Sequence, residues 1–474
     1  MRVLLALLML AVMPMKAWCQ KTMVVLSDTH VMGPGLLVSE GEAWDNYLAN
    51  ERKLVDYSRQ IFDEQIEDLK TMAPDLLLIT GDLTKDGERA SHEYVVQKLA
   101  ELPPTTKILV IPGNHDRGTS TAKIYDGATA TNAPVFSDAD ILSAYAPYGY
   151  GPDSRRDSKS LSYACEPFPG LVVIAIDSKN GSLAATTVDW ICSEAQSARD
   201  AGKHVIAMMH HALIPHITNA NLFVNTAVIN DYDNLRLRFI EAGIPVVFTG
   251  HFHISDIAKD YNDDLTDSII DVATGAPVSY PCDYRVVRFS DDFSRLDLAT
   301  GKKTTLSGVD DFSTMARERL HYAIKKKMKD YAESKLDDLS SLFGNTIERM
   351  ATAFADAYII HADGNEPHAD AATVRRIFRD LSLAFNVLDG SEDMMKSMLY
   401  DKAPYGIEGR ENVTDDRTLL IGPSVSPTSI GAVPASLSDS GAIYNLAGQR
   451  VSHPHRGVYI TTGSVTMVDR PNRP

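Results

Sequence analysis

Eight side chains of metal-binding type stand just beyond short apolar runs: Asp28, His30, Asp82, Asn114, His115, His210, His251 and His253. The first pair shows the pattern. Val24 to Leu26 reads as a buried strand, and strand alternation puts residues two apart on one side, so Asp28 and His30 can face one ion. Each motif alone is weak. An isolated His210 or His211 is more often a core or surface residue, and Gly113-Asn114-His115-Asp116 or Gly250-His251-Phe252-His253 alone fits a turn. All of them follow predicted strands, and their ordered recurrence carries the signal. Carboxylate and amide oxygens mixed with imidazoles suit Zn, Mn or Fe ions better than Ca or Mg alone. Even without His115 the donors exceed what one ion takes, and they fit two divalent ions sharing one carboxylate. Two ions roughly 3.5–4 Å apart can hold a bridging hydroxide and clamp both oxygens of an in-line phosphoryl displacement.

The elements that must position these residues alternate. A helical pattern over residues 51–72 ends at Pro74, and a strand over 75–80 ends at Gly81-Asp82. A helix over 88–102 precedes a strand over 107–111, which leads into Gly113-Asn114-His115-Asp116. This β-α-β-α-β order places ligand-type residues beyond the carboxyl ends of strands, where open α/β sheets bind ligands. Residues 118–157 read as a long loop with a short helix near 138–145. An antiparallel pair over 161–165 and 171–176 follows, then a helix over 187–201 and a strand over 205–209 ending in His210-His211. A helix over 235–242 and a strand over 245–249 lead to His251 and His253, with three more strands before residue 300. Residues 305–400 carry apolar helical stripes, among them Leu320, Ile324 and Met328, too apolar on one face to stand free. They must pack on the first domain or on a partner. Lys325, Lys326, Lys327 and Lys329 read as a solvated helix face, offset by neighbouring acids. Residues 401–436 read as a linker rich in Gly, Pro, Ser and Thr, and 437–474 as a small β unit.

The ordered set Asp28-x-His30, Gly81-Asp82, Gly113-Asn114-His115-Asp116, His210 and Gly250-His251-x-His253 resembles the calcineurin-like metallophosphoesterase superfamily over about residues 22–300. The resemblance implies a four-layer α/β/β/α sandwich with two mixed sheets. It implies that Asp28, His30 and His253 hold one metal, that Asn114, His210 and His251 hold the other, and that Asp82 bridges them. His115 resembles the family's phosphoryl-contacting histidine, which protonates the leaving oxygen. Asp116 is then expected to orient His115, as acid–base chemistry requires. Between the adjacent His210 and His211, the resemblance favours His210. Ala212 and Leu213 stand where many relatives carry proline, so the substrate-side wall is expected to differ. The expected activity is a metal-dependent phosphoric ester hydrolase, leaning to diesters, with a monoesterase on the same site as the alternative. A non-catalytic scaffold would instead lack ligands, and none is missing.

The chain has 474 residues and a formal charge of −17, which argues against a general grip on nucleic acid or anionic membrane. The substrate is expected to be a small-molecule or lipid head-group phosphate ester. Met1-Arg2, the apolar run Val3–Met13 and Ala17-Trp18-Cys19 read as a signal peptide over 1–19. The short C-terminal unit resembles those of exported Bacteroidetes proteins, some of which serve sorting. Periplasm or cell surface is therefore the expected location, and no segment after the leader is long and apolar enough to span a membrane. Cys165, Cys192 and Cys282 remain, a number that allows at most one disulfide among them. Substrate specificity is expected to lie in residues 31–50, 118–157 and 214–231, where Trp44, Tyr47, Tyr145, Tyr148 and His216 read first as packing or surface residues.

Overall fold

A computed structural model describes residues 21–219, 226–336, 344–364, 369–387 and 390–400, with four short strands beyond them. The leader over 1–19 and most of the stretch 401–436 lie outside the described residues. Two mixed sheets form the centre. The first is built around Thr22–Leu26, which pairs in parallel with Leu76–Ile79, itself parallel to Lys107–Val110. Register sets Leu26 beside Ile79 and Ile79 beside Val110, so the chain leaves all three strands along one edge. On its other side Thr22–Leu26 pairs antiparallel with Asp283–Phe289, followed by Leu296–Lys302 and Thr418–Ile421. That last strand lies within the stretch expected to be a linker. The second sheet has a parallel centre of Leu171–Ile176, His204–Met209, Val246–Thr249 and Ser268–Ala273. Asp256–Tyr261 flanks it on one side, and Tyr163–Phe168 with Arg155–Arg156 on the other, all antiparallel.

Strand alternation separates the layers. Leu171, Val173 and Ala175 point into the core shared with the first sheet. Val172, Ile174 and Ile176 pack instead on Ile191 and Phe239 of the helices Ala185–Asp200 and Tyr232–Ala242. Helices Ser58–Met72 and Arg89–Leu99 bring Ile66 and Val95 onto the first sheet. The result is the α/β/β/α sandwich. Its strands read as continuous apolar runs because both faces are covered.

Two local expectations change. The helix expected from residue 51 begins at Ser58. Before it, Leu54 N donates to Val278 O at 2.7 Å, and Ser58 Oγ accepts from Met32 N at 3.0 Å. Beside these tertiary bonds residues 51–54 are irregular and Val55–Tyr57 form one 3-10 turn, so 51–57 stay out of the α-helix. The expected long loop 118–157 contains a hairpin, Lys123–Asp126 with Thr129–Asn132, joined by Leu37–Ser39. It also contains the helix Asp138–Ala144, capped by Ser137 and Asp140.

The helices Phe312–Leu336, Gly344–Ala362, Ala371–Val387 and Ser391–Tyr400 pack on the sandwich. Leu320, Ile324, Phe354 and Ile377 share one apolar cluster with Phe252 and Ile254. Arg319 pairs with Asp56, and Tyr280 Oη donates to Asp363 Oδ1 at 2.8 Å. The lysine run keeps the expected solvated face, offset by neighbouring acids. Lys325 pairs with Glu348 at 2.6 Å and Lys326 with Asp330 at 2.9 Å, and Lys326 and the exposed Lys327 also line a cavity against the sandwich, beside the buried Ile324. A second unit, residues 423–474, contains an antiparallel sheet of Ile443–Tyr444, Gly457–Thr461 and Ser464–Val468. Cys165, Cys192 and Cys282 are all free thiols. Among the described residues no helix is long and apolar enough to cross a membrane.

Candidate metal centre

Five of the predicted metal ligands sit on left-handed backbone just past the ends of strands. Asp28, His30, Asp82, His251 and His253 have φ of 51°, 40°, 51°, 71° and 61°. Left-handed conformations cost energy for residues with a Cβ and persist where surrounding contacts impose them, often at functional sites. Here Asp28 N donates to Gly81 O and His30 N to Asp82 O, each at 2.9 Å, stitching the first two strand exits together. Two glycines permit the close approach. A Cβ on Gly113 would lie 2.2 Å from Asp82 Oδ1, and one on Gly250 would lie 1.8 Å from Ser27 Oγ.

The side chains converge as two sets sharing one carboxylate. Asp28, His30, Asp82 and His253 form one set, and Asp82, His210 and His251 the other. Asp82 Oδ2 lies 3.6 Å from His30 Nε2 and 3.3 Å from His210 Nε2, while Asp82 Oδ1 accepts from His115 N at 2.8 Å. Asn114 Oδ1 is 3.0 Å from His210 Nε2, and His251 Nδ1 is 3.2 Å from the same atom. His210 Nδ1 donates to Thr80 O at 2.9 Å, which leaves Nε2 as its inward lone pair. Asp28 Oδ2 accepts from Ser27 Oγ at 2.6 Å and His251 N at 2.9 Å. All seven expected ligands thus meet, and His210 rather than His211 does so. His211 Nδ1 faces Ser178 Oγ at 2.9 Å.

Divalent metal ions fit this donor set. Asp28 Oδ1 is buried without a hydrogen-bond partner, 3.3 Å from His253 Nε2. His30 Nε2 and His253 Nε2 approach to 3.1 Å. Burial holds His30 well below the ordinary histidine range, and burial followed by the Arg52 charge lowers His253 to about 4. Two neutral rings and a carboxylate oxygen aimed at one point are satisfied together by a cation. Burial would raise the Asp82 carboxyl, but His210 and His115 outweigh it and hold Asp82 well below the usual range.

The expectation for Asp116 is corrected. Its carboxylate accepts from Leu83 N at 3.1 Å, Thr84 N and Thr84 Oγ1 at 2.9 Å, and Gly113 N at 2.8 Å. With those bonds it ties two strand-exit loops together and does not orient His115. Asp86 does so: its Oδ1 lies 2.9 Å from His115 Nδ1, which is also 2.9 Å from Lys85 O. Sequence reasoning missed Asp86, although it stands four residues past Asp82 in the same loop. Trp44, Tyr47 and His216 pack away from the metal set. Trp44 and Tyr47 stack on each other and reach Tyr125, and His216 lies between Asp256 and Asp271.

A cavity of about 510 Å³ opens beside the cluster, lined by Asp82, Asn114, His115, His251 and His253, by residues 49–53, and by the helix Phe312–Leu336.

Comparison with known proteins locates the chain. A probable cyclic nucleotide phosphodiesterase from Synechococcus is 38% identical over 69 residues, which are 15% of this chain. The match spans about a quarter of that relative's length (26%). A dimetal phosphatase from Danio rerio aligns over 60% of this chain and 96% of its own, at 11% identity and a TM-score of 0.43. Zinc-bound Vps29 from Entamoeba histolytica aligns over 59% and 91%, at 10% identity and a TM-score of 0.23. The profile of the calcineurin-like phosphoesterases matches residues 21–255. That match contains every residue of the two converging sets, from Asp28 to His253, and residues 21–255 belong to the calcineurin-like phosphoesterase family.

Proposed function

We propose that this protein is a dinuclear, metal-dependent phosphoester hydrolase that prefers diesters. The observation that carries the reading is Asp82 Oδ2, placed between two separate groups of inward-facing donors. Asp28, His30 and His253 would hold one divalent ion and Asn114, His210 and His251 the other, with Asp82 shared. Bound there, such ions supply Lewis-acid polarisation of the phosphoryl group and an activated water. The chain's own groups do the rest. His115 has Nδ1 committed to Lys85 O and Asp86, so Nε2 is the nitrogen that gives a proton to the departing ester oxygen. Burial opposes protonation of His115, but Asp82 and Asp86 raise its pKa, which favours the acid form this role needs. The diester preference has the name of the Synechococcus relative as its support.

The test removes metal from the protein, restores Mn²⁺, Zn²⁺ or Fe²⁺, and compares bis(4-nitrophenyl) phosphate with 4-nitrophenyl phosphate. Turnover that needs metal, falls at least roughly 100-fold in Asp82→Asn and favours the diester is the expected result. A protein that binds no metal would end the reading. The chain is also proposed to be exported, with the charged and apolar stretch before Gln20 as support. Mass measurement of the mature protein, expected to start at Gln20, tests that.

A further inference from the structure

The cavity beside the metal set has one wall that the family match does not cover. It is the helix Phe312–Leu336, which contributes Lys326, Lys327 and Asp330, and it faces Glu51, Arg52 and Lys53 from the segment held out of the helix at residues 51–57. Four cations and two carboxylates therefore line the part of the cavity outside the metal set. The acids are engaged. Glu51 accepts from Tyr47 Oη at 2.8 Å and lies 3.7 Å from Lys53 Nζ, and Asp330 pairs with Lys326 at 2.9 Å. Among the described residues Arg52 has one hydrogen bond, a long one of 3.4 Å from Nη1 to Tyr358 Oη, which leaves most of its five-donor fork uncommitted there. In a chain of net charge −17, a positive wall facing the reaction centre is a local exception.

We propose that Arg52 and Lys327 form a second anion subsite, and that the substrate is a phosphate ester bearing a second phosphate or carboxylate group. This rests on the phosphoesterase reading of the neighbouring metal set. The planar fork of Arg52 can hold two oxygens of either anion at once, and Lys327 adds a point charge beside it. Burial lowers the Lys327 pKa and the Arg52 charge lowers it further, a like-charge strain that a bound anion relieves.

The experiment is calorimetric titration of the metal-loaded protein. The probes are alkane diphosphonates of two to five carbons, ω-phosphonocarboxylates of equal length, and matching alkylphosphonates with one charged group. At one length or more, a doubly anionic probe should bind roughly tenfold tighter than its singly anionic match. The better of the two doubly anionic series identifies the second group. Arg52→Gln and Lys327→Gln should each bring the ratio towards one. Lys329→Gln, which removes a charge near Glu348 of the neighbouring helix and outside the cavity lining, should leave it unchanged. A ratio of dissociation constants does not depend on the folded fraction, so poor folding cannot imitate the result. No advantage at any length, or one that survives both substitutions, overturns the subsite. Turnover of bis(4-nitrophenyl) phosphate in the same preparations reports separately on the phosphoesterase reading.

Discussion

At the scale of single residues, two aspartates near His115 have different tasks. Asp86 touches the imidazole and Asp116 does not. Asp86→Asn should therefore lower kcat roughly 10–100-fold while metal content stays unchanged, since it removes the charge that holds His115 in its acid form. Steady-state kinetics beside metal analysis would check this, and an unaltered kcat would remove Asp86 from the mechanism. Asp116→Asn should act on stability instead. It is fully buried and accepts four hydrogen bonds, and an amide nitrogen in place of one oxygen would face N–H donors. A loss of about 3 kcal/mol is expected, seen as a melting temperature several degrees lower.

At the scale of elements, the ligand loop Gly250–His253 is braced from outside the family domain. Phe252, between the two ligand histidines, packs in the cluster that contains Leu320, Ile324 and Phe354. Phe252→Ala should cost about 3–5 kcal/mol through the cavity it leaves. It should also weaken metal binding, because His251 and His253 hold left-handed backbone only while the loop is clamped. Melting curves and metal titration would measure both, and a destabilised variant with unchanged metal affinity would show that the brace stops at Phe252. The helix Phe312–Leu336, which carries Leu320 and Ile324, also supplies one wall of the cavity, so an element that steadies the ligands shapes what reaches them.

At the scale of the whole molecule, stability should follow pH through a buried site that does not line the cavity. His216 lies 3.4 Å from Asp256 and 3.4 Å from Asp271, joining the second sheet to the loop after His210. Burial would lower its pKa, but the two carboxylates raise it to about 10. A group raised in the folded state stabilises fully below its unfolded pKa, about 6.5, and that contribution is lost as pH rises to about 10. Stability measured by denaturant should therefore fall over that window, and His216→Gln should flatten the dependence. An equal slope in the variant would assign it to other groups. Metal removal should lower stability, since it leaves Asp28 Oδ1 buried without a hydrogen-bond partner beside the neutral His30 and His253 rings.

Which residues form the site was legible in the chain. Asp28, His30, Asp82, Asn114, His210, His251 and His253 each follow an apolar strand, and strand ends in parallel sheets gather on one edge, so order and type were enough to bring them together. Local hydrophobic period also gave the layers, because burial on both faces writes itself into continuous apolar runs. Tertiary structure decided the rest. Asp86 rather than Asp116 reaches His115, because a loop's side-chain directions depend on the contacts that close it. Residues 51–57 leave the helical pattern, because Val278 and Met32 offer hydrogen bonds that local periodicity cannot register. Lys326 and Lys327 line a cavity while keeping contact with solvent, because what a charged helix face meets is set by what lies opposite, and the opposing wall is more than 250 residues away in the chain. The sequence by itself determined which atoms could bind metal. Only the packing of distant segments decided how they are oriented and what charge surrounds them.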